Sequence, residues 1–410
     1  MDGKRGTGRK ILVSGGSIAG PALVWALRRA GFEPTLLERA ERFRTAGQNI
    51  DIRDTGHDVI DRMGLRDAVV AAGTGELGTR YLDHRGRPYA EFPVEKGRDG
   101  PTAELEILRG DLSALLLSLT SDDVEHRYGD HITAVRPFSD GVEVDLAGGG
   151  QERYDALVVT EGRRSATRDL VFGPDVTWHD DGEYIAYGTI DRTEADDDWW
   201  QWLTATDSRL VMVRPDNKGT IRANLGFLAP PLGLEDLDFE SKMLVLRRRF
   251  AGVGWETDRI LDGFAQRPEE FYLERLEQVR MPTWARGPVV VLGDAAWGSG
   301  PSGMGTTLAL VAGYVLAGEL AEHRGDLAAA FAGYERVIRP WAEKVQDLPP
   351  GLPRVILPKT PTGLRVLKGF HRMAATGPVR HLVEKTLLSK TDVMPRLPDY
   401  PALRKPGNIA

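Results

Sequence analysis

The first forty residues alternate between apolar runs and a helical repeat. Lys10–Val13 is a short, mostly apolar run that leads into glycines, which is typical of a buried strand. Pro21–Arg29 has apolar residues at helical spacing and is followed by Gly31, a residue type that commonly ends helices. A second apolar run at Pro34–Leu37 completes a strand–helix–strand unit, which predicts a parallel sheet.

The same α/β pattern continues along most of the chain. Apolar runs and alternation predict strands at Ile132–Phe138, Val142–Leu146, Ala156–Thr160 and Val289–Leu292, the first two as a hairpin. Helical spacing predicts helices at Asp111–Leu119, Met304–Ala321 and Asp326–Val345, the last with a kink at Pro340.

The middle of the chain, near residues 175–265, has a different pattern. Tyr184–Asp191, Arg209–Arg214 and Thr220–Phe227 have the character of strands, and Pro215–Gly219 suits the hairpin loop between the last two. We therefore expect a mostly antiparallel sheet inserted into the α/β region.

The composition excludes several classes of function. The 410 residues are 41% hydrophobic and 28% charged, as in ordinary globular proteins. The net charge of −7 argues against nucleic acid as a partner, because nucleic-acid-binding proteins usually carry a basic face. The chain has no cysteine, which excludes disulfides and thiolate metal sites, and its histidines include no pair at metal-ligand spacing, so no metal is expected.

Apolar stretches are too short to cross a bilayer, which takes roughly 18 residues or more. Met1–Lys10 is not followed by an apolar stretch long enough for a secretion signal. We therefore expect a soluble cytoplasmic protein without a membrane partner, as a monomer or homodimer. Pro395–Ala410 is rich in proline and is expected to wrap the surface without regular structure.

The strongest local feature is the glycine-rich segment Gly15–Gly20 between the first strand and the first helix. Gly15 permits a tight turn, Ser17 is small enough for a pyrophosphate to approach the backbone, and Gly20 lets the helix pack on the strand. An anion is favoured at the helix N-terminus, and Glu38 ends the second strand, where a carboxylate can accept ribose hydroxyls. The unit predicts a dinucleotide site, although Ser17 replaces the usual middle glycine; a purely structural turn is the alternative.

A second segment repeats this arrangement later in the chain. The strand Val289–Leu292 leads into Gly293 and Asp294, and a proline- and glycine-rich loop then opens a long helix. Ligands of open α/β sheets bind at the carboxyl ends of strands, so we expect Asp294 to bind a second diol. The amides of Gly303–Thr306 suit the negative charge of a reduced flavin ring. The alternative is a helix start capped by Asp294.

These segments together resemble the p-hydroxybenzoate-hydroxylase-type (class A) FAD monooxygenases. Within that family, the chain looks most similar to actinobacterial members related to tetracycline-inactivating monooxygenases. The resemblance covers about residues 9–345. It rests on four blocks in the same order and spacing, which are Val13–Gly20 with Leu37–Arg39, Leu108–Leu112, Val158–Arg168 and Gly293–Leu310.

The resemblance implies a set of FAD-binding residues, no catalytic acid or base, and NADPH or NADH as a transient co-substrate. The implied cofactor residues are Gly15, Ser17, Ile18, Ala19, Gly20, Glu38, Arg39, Arg44, Gln48, Arg109, Asp294, Pro301, Gly303, Met304, Gly305 and Thr306. Their expected roles run from the pyrophosphate at Gly15–Gly20 and the ribose at Glu38 to the ribityl chain at Asp294 and the flavin ring beyond it.

Two positions depart from the family pattern. Glu161 stands where the family usually has aspartate, at a site used in both flavin and nicotinamide-nucleotide handling, so efficient reduction by NAD(P)H is less certain. Trp297 stands where the family usually has histidine, and tryptophan has no acid or base function. We expect Trp297 either to line the cavity or to have no part in the chemistry.

The expected fold class is α/β, a Rossmann-like FAD-binding domain of the p-hydroxybenzoate hydroxylase fold with an inserted, mostly antiparallel β-sheet domain and C-terminal helices. The expected FAD-binding domain comprises residues 9–75, 105–172 and 266–345. The expected substrate-binding domain comprises residues 76–104 and 173–265, and residues 346–410 form a C-terminal helical segment and tail.

The activity implied by the resemblance is hydroxylation or epoxidation of a bulky, electron-rich secondary metabolite through a flavin C4a-hydroperoxide, with NAD(P)H and O₂. The residues expected to contact this aromatic or polyketide-like substrate are Trp200, Trp202, Arg214, Arg222, Phe227 and Trp297. Surface ion pairs for the arginines and core packing for the aromatic residues are the alternatives.

Three other functions compete with this activity. A cyclase of the same fold that uses FAD without net redox chemistry fits the departures at Glu161 and Trp297. A flavin-dependent halogenase is favoured faintly by Trp200–Trp202, but Thr45–Gly56 holds no lysine where that family has one. A scaffold protein that has lost its flavin predicts a colourless purified protein.

Overall fold

The computed structural model describes residues 8–43, 47–95, 102–120, 122, 124–298, 300–347, 349, 351–376 and 396–404. Over these residues the chain forms eighteen strands and eleven α-helices. The strands are β1 Lys10–Ser14, β2 Glu33–Glu38, β3 Asn49–Ile52, β4 Gly78–Leu82, β5 Pro88–Pro93, β6 Leu105–Leu108, β7 Glu125–Tyr128, β8 Ile132–Phe138, β9 Gly141–Leu146, β10 Gln151–Tyr154, β11 Ala156–Val159, β12 Thr177–Asp191, β13 Trp200–Ala205, β14 Arg209–Pro215, β15 Thr220–Leu228, β16 Tyr272–Arg280, β17 Ala285–Arg286 and β18 Val289–Val291. The helices are α1 Ala19–Ala30, α2 Thr55–Met63, α3 Arg66–Ala71, α4 Arg109–Ser118, α5 Ala166–Phe172, α6 Phe239–Phe250, α7 Thr257–Gln266, α8 Gly305–Glu322, α9 Leu327–Gln346, α10 Leu352–Ile356 and α11 Pro361–Ala374.

A six-stranded sheet carries the two glycine-rich segments. Its strand order is β17-β18-β11-β1-β2-β7, and every neighbouring pair except β17–β18 is parallel. The central strands are short and apolar, and Val13, Leu157 and Val290 are fully buried. This burial on both faces explains why the strands read as continuous apolar runs in the sequence.

Helices α1 and α8 pack directly against each other on this sheet. Gly313 of α8 makes the approach possible, because a Cβ there would lie 3.1 Å from the backbone nitrogen of Leu23 in α1. Gly318, one turn and a half farther on, lies under the ring of Tyr400 in the same way. Close packing therefore accounts for glycines that would weaken a free helix.

A seven-stranded sheet forms the second layer, in the order β16-β12-β15-β14-β13-β4-β5. Its pairs are antiparallel except β13 with β4, which are parallel. One face packs against α6 and α7 around a core that includes Tyr184, Phe227 and Phe264. The opposite face holds a smaller apolar cluster that includes Ile185, Met212 and Leu276.

The α/β fold and the inserted, mostly antiparallel sheet are confirmed. The sheet extends beyond the 175–265 region at both edges, because β16 pairs with β12, and β4 and β5 join beyond β13. Residues 266–280 were expected in the FAD-binding region, yet β16 lies in this second sheet. Such long-range pairing has no local sequence signal.

The C-terminal region packs against both layers. Helices α10 and α11 follow α9, and residues 396–404 have no regular structure apart from a short 3-10 turn at Pro401–Leu403. This segment does run along the protein as expected, but Tyr400 and Leu403 are buried and Tyr400 donates a hydrogen bond to Glu319 of α8 at 2.7 Å. Residue 395 and residues 405–410 lie outside the described residues.

Among the helices in the described part of the chain, none combines the length and the apolar character that a bilayer-crossing segment needs.

Candidate active site

A cavity of about 790 Å³ lies between the parallel sheet and the antiparallel sheet. The carboxyl ends of β1, β2 and β11 open onto it from one side, and β12 to β16 line it from the other. This position follows the general rule that open α/β sheets bind ligands beyond the carboxyl ends of their strands. The volume falls within the range of about 300–1,000 Å³ that is typical of small-molecule sites.

The turn between β1 and α1 brings bare backbone to the cavity. Gly15 has φ of +117°, and a Cβ there would lie 2.5 Å from the carbonyl oxygen of Thr160. A Cβ on Gly20 would lie 1.9 Å from the carbonyl oxygen of Gly15. No side chain caps the N-terminus of α1, so its first amides are available to an anion.

Glu38 lies beside this turn at the end of β2. Its carboxylate accepts hydrogen bonds from the backbone N–H of Gly16 at 2.7 Å and of Ala40 at 2.9 Å. Both Glu38 and the following Arg39 line the cavity. The carboxylate is therefore held in place by backbone donors at the position where the sequence predicted a ribose contact.

Arg109 reaches the same turn from another part of the chain, and Gln48 lies beside it on the cavity wall. The Arg109 guanidinium donates to the Ser17 hydroxyl, at 3.3 Å from Nε and 3.1 Å from Nη2. The backbone N–H of Arg109 donates to the carbonyl of Gln48 at 2.9 Å. In α4, the Ser113 hydroxyl donates to the carbonyl of Ser17 at 2.5 Å. The pairing of β3 with β6 thus delivers a cation to the glycine-rich turn.

Asp294 and the start of α8 complete the cavity on this side. Asp294 lies in the short turn Gly293–Ala295 that follows β18, and it faces the cavity. Helix α8 begins at Gly305, after Met304, and no side chain caps it. Buried Arg168 donates to the carbonyls of Arg163 and Ala295, at 2.8 and 3.2 Å, and so links the loop after β11 to the Asp294 turn.

The structure brings most of the sequence-predicted cofactor residues to this one cavity. Those that line it are Gly15, Ser17, Ile18, Ala19, Glu38, Arg39, Gln48, Arg109, Asp294, Gly303, Gly305 and Thr306. Gly20 lies behind them in the contact between α1 and β1, and Met304 is buried beside them. Pro301 belongs to the turn Gly300–Ser302, and Gly300 of this turn lines the cavity. Arg44 lies outside the described residues.

The opposite wall is apolar and aromatic. Ile185, Leu210, Met212 and Leu276 project from the sheet, and Leu357 after α10 packs on them. Trp200 and Trp202 border this surface with their ring centroids 4.7 Å apart. Tyr187 stacks on Tyr272 at 4.7 Å. Such a wall suits a large planar ligand.

Arg214 anchors the edge of this wall in a buried ionic cluster. It bonds to Asp51 at 2.9 Å and to Glu76, and lies 3.9 Å from Glu106. The ring of Trp200 covers the guanidinium at 4.1 Å. Burial raises the pKa of Glu76 to about 7, against the lowering effect of Arg214. The cluster ties β3 and β6, which form a separate two-stranded sheet, to β14 of the second layer.

Three residues expected to contact the substrate lie away from the cavity, which corrects the sequence-based set. Phe227 is on the opposite face of the sheet, stacked on Tyr184 at 5.3 Å, because alternation along β15 points it at α6. Arg222 is paired with Asp216 at 3.1 Å and donates to Thr189. Trp297 is fully buried behind the Asp294 turn. The predicted Trp200, Trp202 and Arg214 do line the cavity.

Trp297 is packed among other residues of the hydrophobic core. Its ring lies 5.0 Å from the ring of Trp284, which in turn lies 5.8 Å from Tyr334. Its carbonyl accepts hydrogen bonds from Gln346 and from the backbone N–H of Val279. The tryptophan therefore fills core space where the family pattern has histidine.

Glu161 is held in a network of hydroxyl groups. Its carboxylate accepts from Ser14, from Ser165 at 2.7 Å and from Thr167 at 2.6 Å. The longer side chain is accommodated by bonds that join the end of β1 to the start of α5. Glu161 lines the cavity, but its carboxylate is already hydrogen-bonded to these three hydroxyl groups.

Sequence reasoning missed several cavity residues. Asp51, Glu183, Asn224 and Glu274 all line the cavity. Each lies on a strand whose neighbouring residues enter a hydrophobic core. The alternation of apolar and polar residues along these strands could have placed the four residues on the opposite face. The apolar residues of α10 carried no such signal, because five residues are too few to show helical periodicity.

Comparison with known proteins finds relatives that are named flavin-dependent or FAD-dependent monooxygenases. No family model matches the chain. The FAD-dependent monooxygenase asL4 of Sarocladium schorii is 33% identical over 438 residues, which cover 97% of this chain and 99% of that protein. A flavin-dependent monooxygenase from an unknown prokaryotic organism is 36% identical over 343 residues, covering 82% and 88%.

A solved structure agrees with these relatives. The crystal structure of tetracycline destructase Tet(55) superimposes with a TM-score of 0.81 at 31% identity, covering 96% of this chain and 99% of that one. The similarity extends over nearly the whole of this chain. This chain belongs to the flavin-dependent monooxygenases and is an FAD-dependent oxidoreductase.

Proposed function

We propose that this enzyme hydroxylates or epoxidises a bulky, electron-rich aromatic or polyketide-like molecule, with NAD(P)H and O₂ as co-substrates. The observation that carries the proposal is a single cavity that joins two uncapped helix N-termini to an apolar, aromatic wall. The first feature suits a dinucleotide with an anionic ring system, and the second suits a large planar substrate.

The residues present fit FAD. Amides at the start of α1 would bind the diphosphate, since no side chain caps this helix and Gly15 and Gly20 allow the turn to pack tightly against neighbouring backbone. Glu38 would accept the hydroxyls of the adenosine ribose, and Arg109 would lie beside the diphosphate through its contact with Ser17. Asp294 would bind the ribityl chain.

The uncapped start of α8 would hold the flavin ring. Amides at Gly305 and Thr306 and the helix dipole favour negative charge at this point. When bound, FAD supplies the redox chemistry, accepting hydride from NAD(P)H and transferring oxygen from O₂ to the substrate. The apolar wall of Ile185, Met212 and Leu276 excludes water from the space where the substrate is placed.

Trp200, Trp202 and Arg214 are the sequence-predicted residues that we propose to shape the substrate side. The two indole rings present flat apolar surface at the cavity edge, and Arg214 fixes Trp200 through its guanidinium. Because Arg214 is already bonded to Asp51 and Glu76, we assign it a positioning role. Similarity to a tetracycline destructase supports a polycyclic substrate.

We also propose a division into two functional units. Residues 9–75, 105–172 and those from 281 to 345 would bind FAD, and residues 76–104 and 173–280 would bind the substrate. The boundary moves to Arg280 from the expected position at 266, because β16 is hydrogen-bonded to β12.

The test is reduction of the bound flavin followed by oxygen transfer. The FAD-loaded protein is mixed anaerobically with NADPH or NADH, and the absorbance band near 450 nm is followed. Isotopically labelled O₂ and a tetracycline are then added, and the product is analysed by mass spectrometry. We expect bleaching of the band and one labelled oxygen atom in the product. A band that neither nucleotide changes would favour a flavin-bound cyclase instead.

A further inference from the structure

The antiparallel-sheet side of the cavity holds a buried carboxyl group, that of Glu183. Along β12, Glu183, Ile185 and Tyr187 face the cavity, whereas Tyr184 and Ala186 enter the core beneath α6 and α7. Glu183 is only 9% exposed. In the described part of the chain its carboxyl group has neither a hydrogen bond nor an ion pair. A buried carboxyl group without a partner is costly, so its presence in a ligand cavity indicates a ligand contact.

Among the described residues, no cation is paired with the Glu183 carboxyl group. The cavity arginines Arg163 and Arg164 are bonded to Glu274 and to Glu277, the latter at 2.5 Å. On its own strand Glu183 faces Asp181, another carboxylate, which lies 3.4 Å from His179. The residues that α10 and its flank contribute to the cavity are apolar, namely Leu352, Pro353, Ile356 and Leu357. This end of the cavity is therefore acidic, and the Glu183 carboxyl group can accept a hydrogen bond from a ligand.

Glu183 lies toward the end of the cavity where the flavin ring is proposed to bind. Its partner across the sheet is Leu276, and two residues farther along β16 is Gln278. A Cβ on Gly300 would lie 3.2 Å from the Cγ of Gln278, so the Gly300–Ser302 turn rests on this part of the sheet. A substrate bound in the cavity beside this turn would bring its reacting ring near Glu183.

We propose that Glu183 is a specificity-determining residue that accepts a hydrogen bond from a phenolic or enolic hydroxyl of the substrate and excludes carboxylated substrates. This inference rests on the proposed function. A carboxylate only accepts hydrogen bonds, so its ligand must be a donor. An ammonium group would also satisfy it, but a cation on the ring withdraws the electron density that oxygen transfer needs, whereas a hydroxyl group bonded to a carboxylate donates it. A carboxylated substrate would bring a third negative charge beside Asp181 and Glu183.

The contact has a characteristic pH dependence. Burial, with a smaller contribution from Asp181, raises the pKa of Glu183 to about 7. Below that pH the group is largely neutral, and above it the charged form accepts a stronger hydrogen bond. Affinity for a neutral hydroxyl compound should therefore rise as the pH rises through 7.

The test compares three probes of one shape on the FAD-loaded protein. Binding of alpha-naphthol, alpha-naphthyl methyl ether and alpha-naphthoate is measured by calorimetry near pH 6 and near pH 8, in wild type, Glu183→Gln and Glu183→Leu. In wild type at the higher pH, the naphthol should bind roughly tenfold more tightly than the ether and the naphthoate most weakly, as expected for a charge-assisted hydrogen bond. The naphthol advantage should shrink at the lower pH.

The two variants separate the role of the charge from the role of the shape. Glu183→Gln keeps a carbonyl acceptor, so it should bind naphthol at both pH values without the pH dependence and should tolerate naphthoate. Glu183→Leu should bind naphthol and its ether equally. Equal affinities of the naphthol and the ether in wild type, or no naphthol binding, would overturn the proposal. So would a shift of the flavin spectrum in ligand-free Glu183→Gln, which would make Glu183 a cofactor contact. Bleaching by NAD(P)H judges the proposed function independently.

Discussion

At the scale of the residue, charge is buried where the two layers meet. Glu76 has only 1% of its side chain exposed and bonds to Arg214, while Thr102 donates to it at 2.5 Å. Its pKa is raised to about 7, first by burial and further by Glu106, although Arg214 opposes the shift. A carboxyl group whose pKa is raised by folding stabilises the folded state below its ordinary value near 4.5, and that contribution is lost as the pH rises toward 7.

We predict that Glu76→Gln reduces the loss of stability between pH 5 and pH 8. Glutamine keeps the shape and has no proton to lose, so the variant should lose less unfolding free energy over this interval than wild type, by on the order of 1 kcal/mol. Urea unfolding at the two pH values measures the difference. Glu240→Gln on the exposed face of α6 is the control and should behave as wild type. An equal loss in wild type and Glu76→Gln would show that Glu76 does not titrate in this interval.

A side chain at Gly20 would clash with the backbone. We predict that Gly20→Ala destabilises the fold by about 1–3 kcal/mol and weakens FAD binding, because its Cβ would meet backbone at Gly15. Thermal unfolding and flavin fluorescence titration check the two effects. Gly369→Ala in α11 is the matched control, since nothing lies within 4 Å of its Cβ, and it should be neutral or slightly stabilising. A stable Gly20→Ala protein with normal FAD affinity would contradict the close packing of α1 on β1.

Residue roles were predictable where the chemistry is local. Gly15, Ser17 and Glu38 belong to one strand–turn–helix–strand unit, so their spacing alone placed them together. Arg222 was misplaced although it lies on the same strand face as the cavity residue Asn224, because it is paired with Asp216 and Thr189. Phe227 was misplaced because a strand sequence alone does not say which face meets the cavity. Glu183 was missed for the same reason, since its neighbours in space come from β15 and β16.

At the scale of the element, two helix N-termini define the cofactor site. Helix α8 begins without a side-chain cap, and Thr306 in its first turn lines the cavity. In this arrangement the helix dipole acts on whatever anion binds in the cavity. A carboxylate introduced in the first turn would stabilise the helix and compete with that anion.

We predict opposite effects on stability and on cofactor binding for Thr306→Asp. The free energy of unfolding of the flavin-free protein should rise by about 0.3–1 kcal/mol, whereas FAD affinity should fall by roughly tenfold or more. Ala328→Asp in the exposed first turn of α9, a helix that Asp326 already caps, is the control for FAD binding and should leave the affinity unchanged. Unchanged FAD affinity in Thr306→Asp would place the negative edge of the flavin away from α8.

Elements were predictable where apolar periodicity is strong. The limits of β8, α8 and α9 agree with the sequence within about two residues, and Pro340 lies inside α9 as expected. Helices α6 and α7 fall in a region expected to be sheet, because its alternating stretches dominated the pattern. Helix α10 has five residues, which is less than two turns and too short for periodicity to show.

At the scale of the whole molecule, the site exists only because distant segments converge. β1, β6 with Arg109, and the α8 start are separated by about a hundred residues or more, yet all line one cavity. The parallel sheet and its cofactor motifs were predictable from four sequence blocks. The pairing of β4 with β13 and of β16 with β12, which builds the substrate wall, depends on long-range packing that no local pattern encodes.

The most direct measurement is a crystal structure of the protein grown with FAD. We expect one FAD molecule in the cavity, with its diphosphate at the amides of Gly15–Ala19, its adenosine ribose at Glu38 and its ring between Gly303–Thr306 and the wall of Ile185, Met212 and Leu276. FAD bound elsewhere, or with its ring turned away from the start of α8, would contradict this expectation.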